Sequence, residues 1–242
     1  MKLKLLPFAV AVALSMCAAK AEATMIYYDL NFAYTSAVTP NSTAPWLSFT
    51  FRDGADCSPA CGGNTAQLLM TSSLESGSEF FTQTNFNASS PLTDVAFTSG
   101  TGTFATPTIG QFSANGYNAG ASQDFDVQIA FATSGNNGGA QRFNGFDTAL
   151  FTITGAGISA NTFNIGTPNN PSLWASAHLQ GITGTGNCSG SAWVGDRNGT
   201  TAGGGSGSCG GASVTSVPDS GGTVALLGFA MMGVAYVRRR HI

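Results

Sequence analysis

Apolar and polar residues alternate with a period of two through much of this chain, and that pattern constrains its fold more than any other feature. Ile26, Tyr28, Leu30, Phe32 and Tyr34 fall on one face, with Tyr27, Asp29, Asn31 and Ala33 on the other. Leu47, Phe49 and Phe51 alternate with Ser48, Thr50 and Arg52. Phe125, Val127, Ile129 and Phe131 alternate with Asp126, Gln128 and Ala130. Leu150–Ile153 and Leu173–Ile182 are further expected strands. Ser36–Pro45, Thr133–Ala140 and Thr183–Asn187 read as turn-rich separators. Many short strands with one apolar face each predict an all-β fold, an antiparallel β-sandwich of jelly-roll type with two sheets burying those faces together. The phenylalanines are then core residues. A β-helix is the alternative, but no repeat of the required period is visible.

The two ends of the chain differ from this body. Met1-Lys2-Leu3-Lys4 is a basic start, Leu5 to Ala19 is apolar, and Ala21-Glu22-Ala23 places small residues for cleavage before Thr24. Residues 1–23 therefore read as a signal peptide helix, with Ala19-Lys20-Ala21 as a second possible cleavage site. Cys17 raises lipidation as an alternative, although Met16 is large where a lipobox expects a small residue. At the other end, Val217, Pro218, Asp219, Ser220 and Gly221 precede the apolar run Val224–Val237 and the basic cluster Arg238, Arg239 and Arg240. The apolar run has 14 residues. As a helix it would reach about 21 Å, short of a ~30 Å bilayer core unless the glycines join it and the arginines snorkel. The arginines favour a cytoplasmic C-terminus at the inner membrane. This division leaves 24–216 as the β-sandwich domain between a signal peptide and a tail, 217–242.

The order of motif, short hydrophobic helix and terminal arginines resembles the PEP-CTERM class of bacterial sorting signals, and in Asp219-Ser220 its VPDSG-CTERM variant. The resemblance covers about a tenth of the chain. It implies export from a Gram-negative bacterium, processing by signal peptidase and an exosortase, and a destination in the cell envelope, surface or exopolysaccharide matrix. The inner membrane then holds the tail transiently or as an anchor. A second resemblance lies in Ala140–Asp147, Phe151–Gly155, Ala177–Ile182 and Gly190–Gly195, which are similar to segments of small exported PEP-CTERM proteins. It implies no activity.

Between the targeting segments, every lysine is gone and three arginines face ten carboxylates, a net charge of −7. Nucleic-acid binding is excluded as a function class, because it needs clustered cations. The four cysteines of this region, Cys57, Cys61, Cys188 and Cys209, read as disulfides in an exported chain. Three connectivities exist; the local one, Cys57–Cys61 with Cys188–Cys209, is expected. Zinc is disfavoured by the irregular spacing, and a redox pair by three intervening residues where thioredoxin-like motifs have two.

Chemistry is sparsely signalled. His178 lacks a recognisable nucleophile and there is no Gly-x-Ser-x-Gly elbow, so a structural, hydrogen-bonded histidine is expected. Asp124 and Asp126 share a strand face and could in principle serve a glycosidase, but a surface acidic pair is the simpler reading. Asp53 and Asp56 are weak calcium candidates without an EF-hand pattern; no other metal and no cofactor is expected. Trp46, Trp174 and Trp193 are possible sugar contacts, with Trp193 favoured because turn residues surround it. The expectation is a non-catalytic, structural or adhesive surface protein. A carbohydrate-binding module is the alternative, and a secreted glycosidase or esterase ranks below both.

Overall fold

The computed structural model describes residues 24–35, 40–75, 77–133, 141–183 and 189–196. Along the chain these form β1 (Met25–Leu30), β2 (Phe32–Thr35), β3 (Leu47–Arg52), β4 (Thr65–Ser72), β5 (Phe80–Phe86), β6 (Asp94–Thr101), β7 (Thr108–Gly110), β8 (Tyr117–Asn118), β9 (Asp124–Phe125), β10 (Val127–Ala130), β11 (Thr148–Thr154), β12 (Ala175–Thr183) and β13 (Ser189–Gly195). Two single-turn 3-10 helices, Gly54–Asp56 and Ala160–Phe163, interrupt the loops. All strand pairs are antiparallel. They build a five-stranded sheet, β1-β3-β4-β11-β6, a six-stranded sheet, β2-β13-β12-β5-β10-β7, and a small ribbon, β8-β9.

The expected β-sandwich is present, and alternation explains it. Leu47, Phe49 and Phe51 of β3, Ala66, Leu68 and Met70 of β4, and Ala149, Phe151 and Ile153 of β11 are wholly buried from the first sheet. Phe81, Phe86, Val127, Ile129, Ala177, Leu179 and Val194 meet them from the second, in one continuous core. Phe51 stacks on Phe163 at 4.3 Å and meets Phe86 edge-on at 5.3 Å. Phe131 stacks on Phe143 at 4.4 Å, with Phe104 edge-on to Phe143 at 5.0 Å. Each such ring contributes ~1.5–3 kcal/mol by burial and its aromatic contacts add to that.

Three expected strands differ in detail. The alternation from Ile26 to Tyr34 is one run in sequence but two strands in space: β1 belongs to the first sheet and β2 to the second. The chain changes sheets at Asn31, whose N–H donates to Gly195 O at 3.0 Å. The run from Phe125 to Phe131 likewise breaks at Asp126. Phe125 leaves the main core for a smaller one with Tyr34, Ala119 and Leu173. This second cluster lies outside the sandwich core, so the six-stranded sheet is covered in part on both faces. The third expected strand, Leu173–Ile182, begins two residues later, at Ala175, because the N–H groups of Trp174 and Ala175 are taken by the Asp196 carboxylate at 3.0 and 3.2 Å. The helices expected in the signal peptide and the tail lie outside the described residues. Among the described residues, no helix is long and apolar enough to cross a membrane.

Candidate functional site

The polar residues singled out by sequence are distributed over separate parts of the domain. Cys57 and Cys61 form a disulfide with a Cα–Cα distance of 5.5 Å, closing the loop after β3. The partner pair, Cys188 and Cys209, lies outside the described residues. Asp53, one of the two calcium candidates, is buried, and its carboxylate holds backbone: Oδ1 accepts from Thr24 N and Oδ2 from Ala160 N, both at 2.7 Å. Asp56 sits in the adjacent 3-10 turn. No group of three or more metal-ligating side chains occurs among the described residues.

Asp126 corrects the reading of a surface acidic pair. It is buried, and its two carboxylate oxygens accept from Asn115 N at 2.8 Å and Ala88 N at 3.0 Å. Its own N–H donates to Asn87 Oδ1 at 3.0 Å. Asp124 faces the exposed amides of Asn118 and Asn169 instead. The strand break at Asp126 is what separates the two side chains. Glu79, which no motif marked, does the same work: it is wholly buried and accepts from Asn41 N, Ser42 N and Ser42 Oγ.

Trp193 lies within strand β13, not among turn residues. It pairs in register with His178 of β12, and the two rings stack at 4.7 Å with an interplanar angle of 21°. Gly120 closes the indole's edge: its φ of +67° favours glycine, and a Cβ there would come within 2.5 Å of Trp193 Cδ1. One ring face and one edge are therefore occupied by protein. His178 Nδ1 lies 3.0 Å from Thr82 Oγ1, and burial pushes its pKa down. Neither contact supplies the carboxylate that a catalytic imidazole needs for orientation. Trp46 is a core residue with its Nε1–H donated to Ser42 O at 2.7 Å.

Trp174 is placed differently. It stacks nearly parallel on Tyr28, at 5.8 Å and 8°, beside a cleft of about 400 Å3 where the chain passes from β1 to β2. Asp29, Asn31, Asn164 and Asp196 line the same cleft, with Tyr27 and Ile26 at its rim. Burial raises the Tyr28 hydroxyl above the ordinary phenol range, with the Asp196 charge adding to the effect. The Tyr28 hydroxyl donates to Phe163 O at 3.0 Å. Sequence reasoning isolated Trp174 but not its neighbours, because Tyr28 and Asn164 are 136 residues apart. The available signal was a Tyr-Tyr-Asp-x-Asn string on an otherwise regular strand.

The VPDSG-CTERM motif matches the chain at residues 216–241. It is a sorting motif of PEP-CTERM type; it implies an exported protein sorted to the cell surface and is consistent with processing by an exosortase. Its residues, Val217 to Gly221 and Arg238 to Arg240, lie outside the described ones, as does the cleavage residue Ala23. No curated protein and no solved structure matches the chain at a significant level.

Proposed function

We propose that this chain is a non-catalytic component of the cell surface or the exopolysaccharide matrix, carried there by its tail and acting through a rigid β-sandwich. The match at residues 216–241 carries the reading of destination. Signal peptidase acts before Thr24 and an exosortase acts at the tail, with the inner membrane as the site of processing. The non-catalytic role is supported by what the buried acids do. Asp53, Glu79 and Asp126 each accept backbone N–H groups from loops, so their charges hold the fold together. Carboxylates whose two oxygens are held by backbone N–H groups are committed to the fold and poorly placed to act on a substrate.

The test is alanine replacement of Val217, Pro218, Asp219 and Ser220 in the producing cells, followed by fractionation. The wild-type chain is expected in the surface or matrix fraction, and the variant is expected to accumulate in the envelope. Equal recovery of the variant at the surface would remove the sorting reading. Turnover of an ester, peptide or glycoside by the purified protein, lost in His178→Ala, would remove the non-catalytic one.

A further inference from the structure

The cleft beside β1 brings an aromatic stack together with carboxylate and amide side chains. Its volume of about 400 Å3 falls within the ~300–1,000 Å3 range of small-molecule sites. One wall is the Tyr28–Trp174 stack, and Tyr27, 56% exposed, stands at the rim. The remaining lining is carboxylate and amide: Asp29, Asn31, Asn164 and Asp196. Among the described residues, no lysine, arginine or histidine lines it.

The polar groups are positioned in advance. Tyr27 Oη donates to Ser48 Oγ at 3.0 Å, and Ser48 Oγ donates to Asp29 Oδ1 at 2.6 Å, which orients the Asp29 carboxylate. Asn164 follows the buried Phe163, and its Oδ1 lies 3.4 Å from the Tyr28 hydroxyl. Asp196 is anchored by the Trp174 and Ala175 N–H groups. Side chains held by packing and second contacts lose little freedom when a ligand arrives.

We propose that this cleft binds a neutral sugar, with aromatic rings against the sugar's C–H face and the Asp and Asn side chains taking its hydroxyls. Carboxylates accept and amides both donate and accept, which is the set that vicinal hydroxyls require. A phosphate or uronate would meet two carboxylates and no described cation, so charge opposes it. An apolar ligand would displace water from these carboxylates and amides without replacing its hydrogen bonds, at a cost of ~1–3 kcal/mol each. The inference depends on the surface-protein reading only for where the sugar would be met. Binding by the purified chain does not involve the sorting tail, so either reading can fail without the other.

The experiment is calorimetric titration of the full-length oxidised protein with gluco-, galacto- and manno-configured tetrasaccharides, and with an alginate tetrasaccharide as the anionic arm. At least one neutral tetrasaccharide is expected to bind saturably, and alginate more weakly. Tyr27→Ala and Asn164→Ala, both at exposed positions, are expected to lower the affinity about tenfold or more without lowering Tm. Trp174→Ala should abolish binding, but it also removes a packing partner of the core, so the two exposed variants decide the matter. Trp193→Phe should bind as the wild type does. The proposal is overturned if no neutral tetrasaccharide binds, if alginate binds as tightly, or if Tyr27→Ala and Asn164→Ala leave the affinity unchanged.

Discussion

At the scale of single residues, the fold uses burial for its apolar groups and backbone capture for its acids. Phe51 is wholly buried and touches Tyr28, Phe49, Phe86 and Phe163. Phe51→Ala is expected to cost about 3–5 kcal/mol, the range for emptying a packed aromatic site, as read from urea unfolding. His178 makes a different prediction. Burial lowers its pKa below the ordinary 6.5, so the folded protein takes up the proton less readily than the unfolded chain. Its neutral form therefore supports the fold above about pH 6.5, and that support is lost as pH falls below this value. The wild-type Tm should drop between pH 7 and 5, and His178→Gln should flatten that part of the profile. An unchanged profile in the variant would assign the acid sensitivity elsewhere.

At the scale of elements, the corrections to the strand pattern have consequences. Phe125 belongs to the small cluster under the β8–β9 ribbon, outside the sandwich core. Alternation alone places Phe125 in the sandwich core and would make its replacement a global unfolding mutation. The structure makes Phe125→Ala a local one: amides of residues 117–125 should exchange faster than those of β3 and β4, whose protection should hold. The loop after β3 depends on the Cys57–Cys61 bridge. Closing so short a loop is worth about 2 kcal/mol by chain entropy, so Cys57→Ser with Cys61→Ser is expected to lose about that much. A loss far above it would mean that the bridge also holds Asp53 in place. The outer edge of β6 is shielded without a strand. Gln111 Oε1 accepts from Val95 N at 2.9 Å and its Nε2 donates to Val95 O at 3.0 Å, occupying edge groups that would otherwise invite pairing.

At the scale of the whole molecule, export and folding meet at Thr24. Its nitrogen lies 2.7 Å from Asp53 Oδ1, a buried carboxylate. Cleavage before Thr24 would convert that amide into an ammonium and the hydrogen bond into an ion pair. A chain beginning at Thr24 is thus expected to melt higher than one retaining Ala21, Glu22 and Ala23. The gain should be present below about pH 7 and shrink above about pH 8, where an α-ammonium ordinarily deprotonates. Equal melting temperatures at neutral pH would show that the carboxylate does not distinguish the processed form.

The local pattern alone determined the strand faces around Leu47–Phe51 and Leu150–Ile153, the all-β class and the address in the tail, since each is written in neighbouring residues. Period two depends only on which side of a strand a side chain occupies, and the tail is a linear motif. Tertiary structure decided where one alternating run becomes two strands, at Asn31 and at Asp126, because a sheet change leaves the period intact. It also decided which polar residues are structural. Asp126 and Glu79 look like any surface acid until distant loops bring them backbone N–H groups. The cleft was illegible for the same reason: Tyr27 and Asp29, Asn164 and Trp174, and Asp196 come from three stretches of chain, and only the crossing from β1 to β2 brings them to one place.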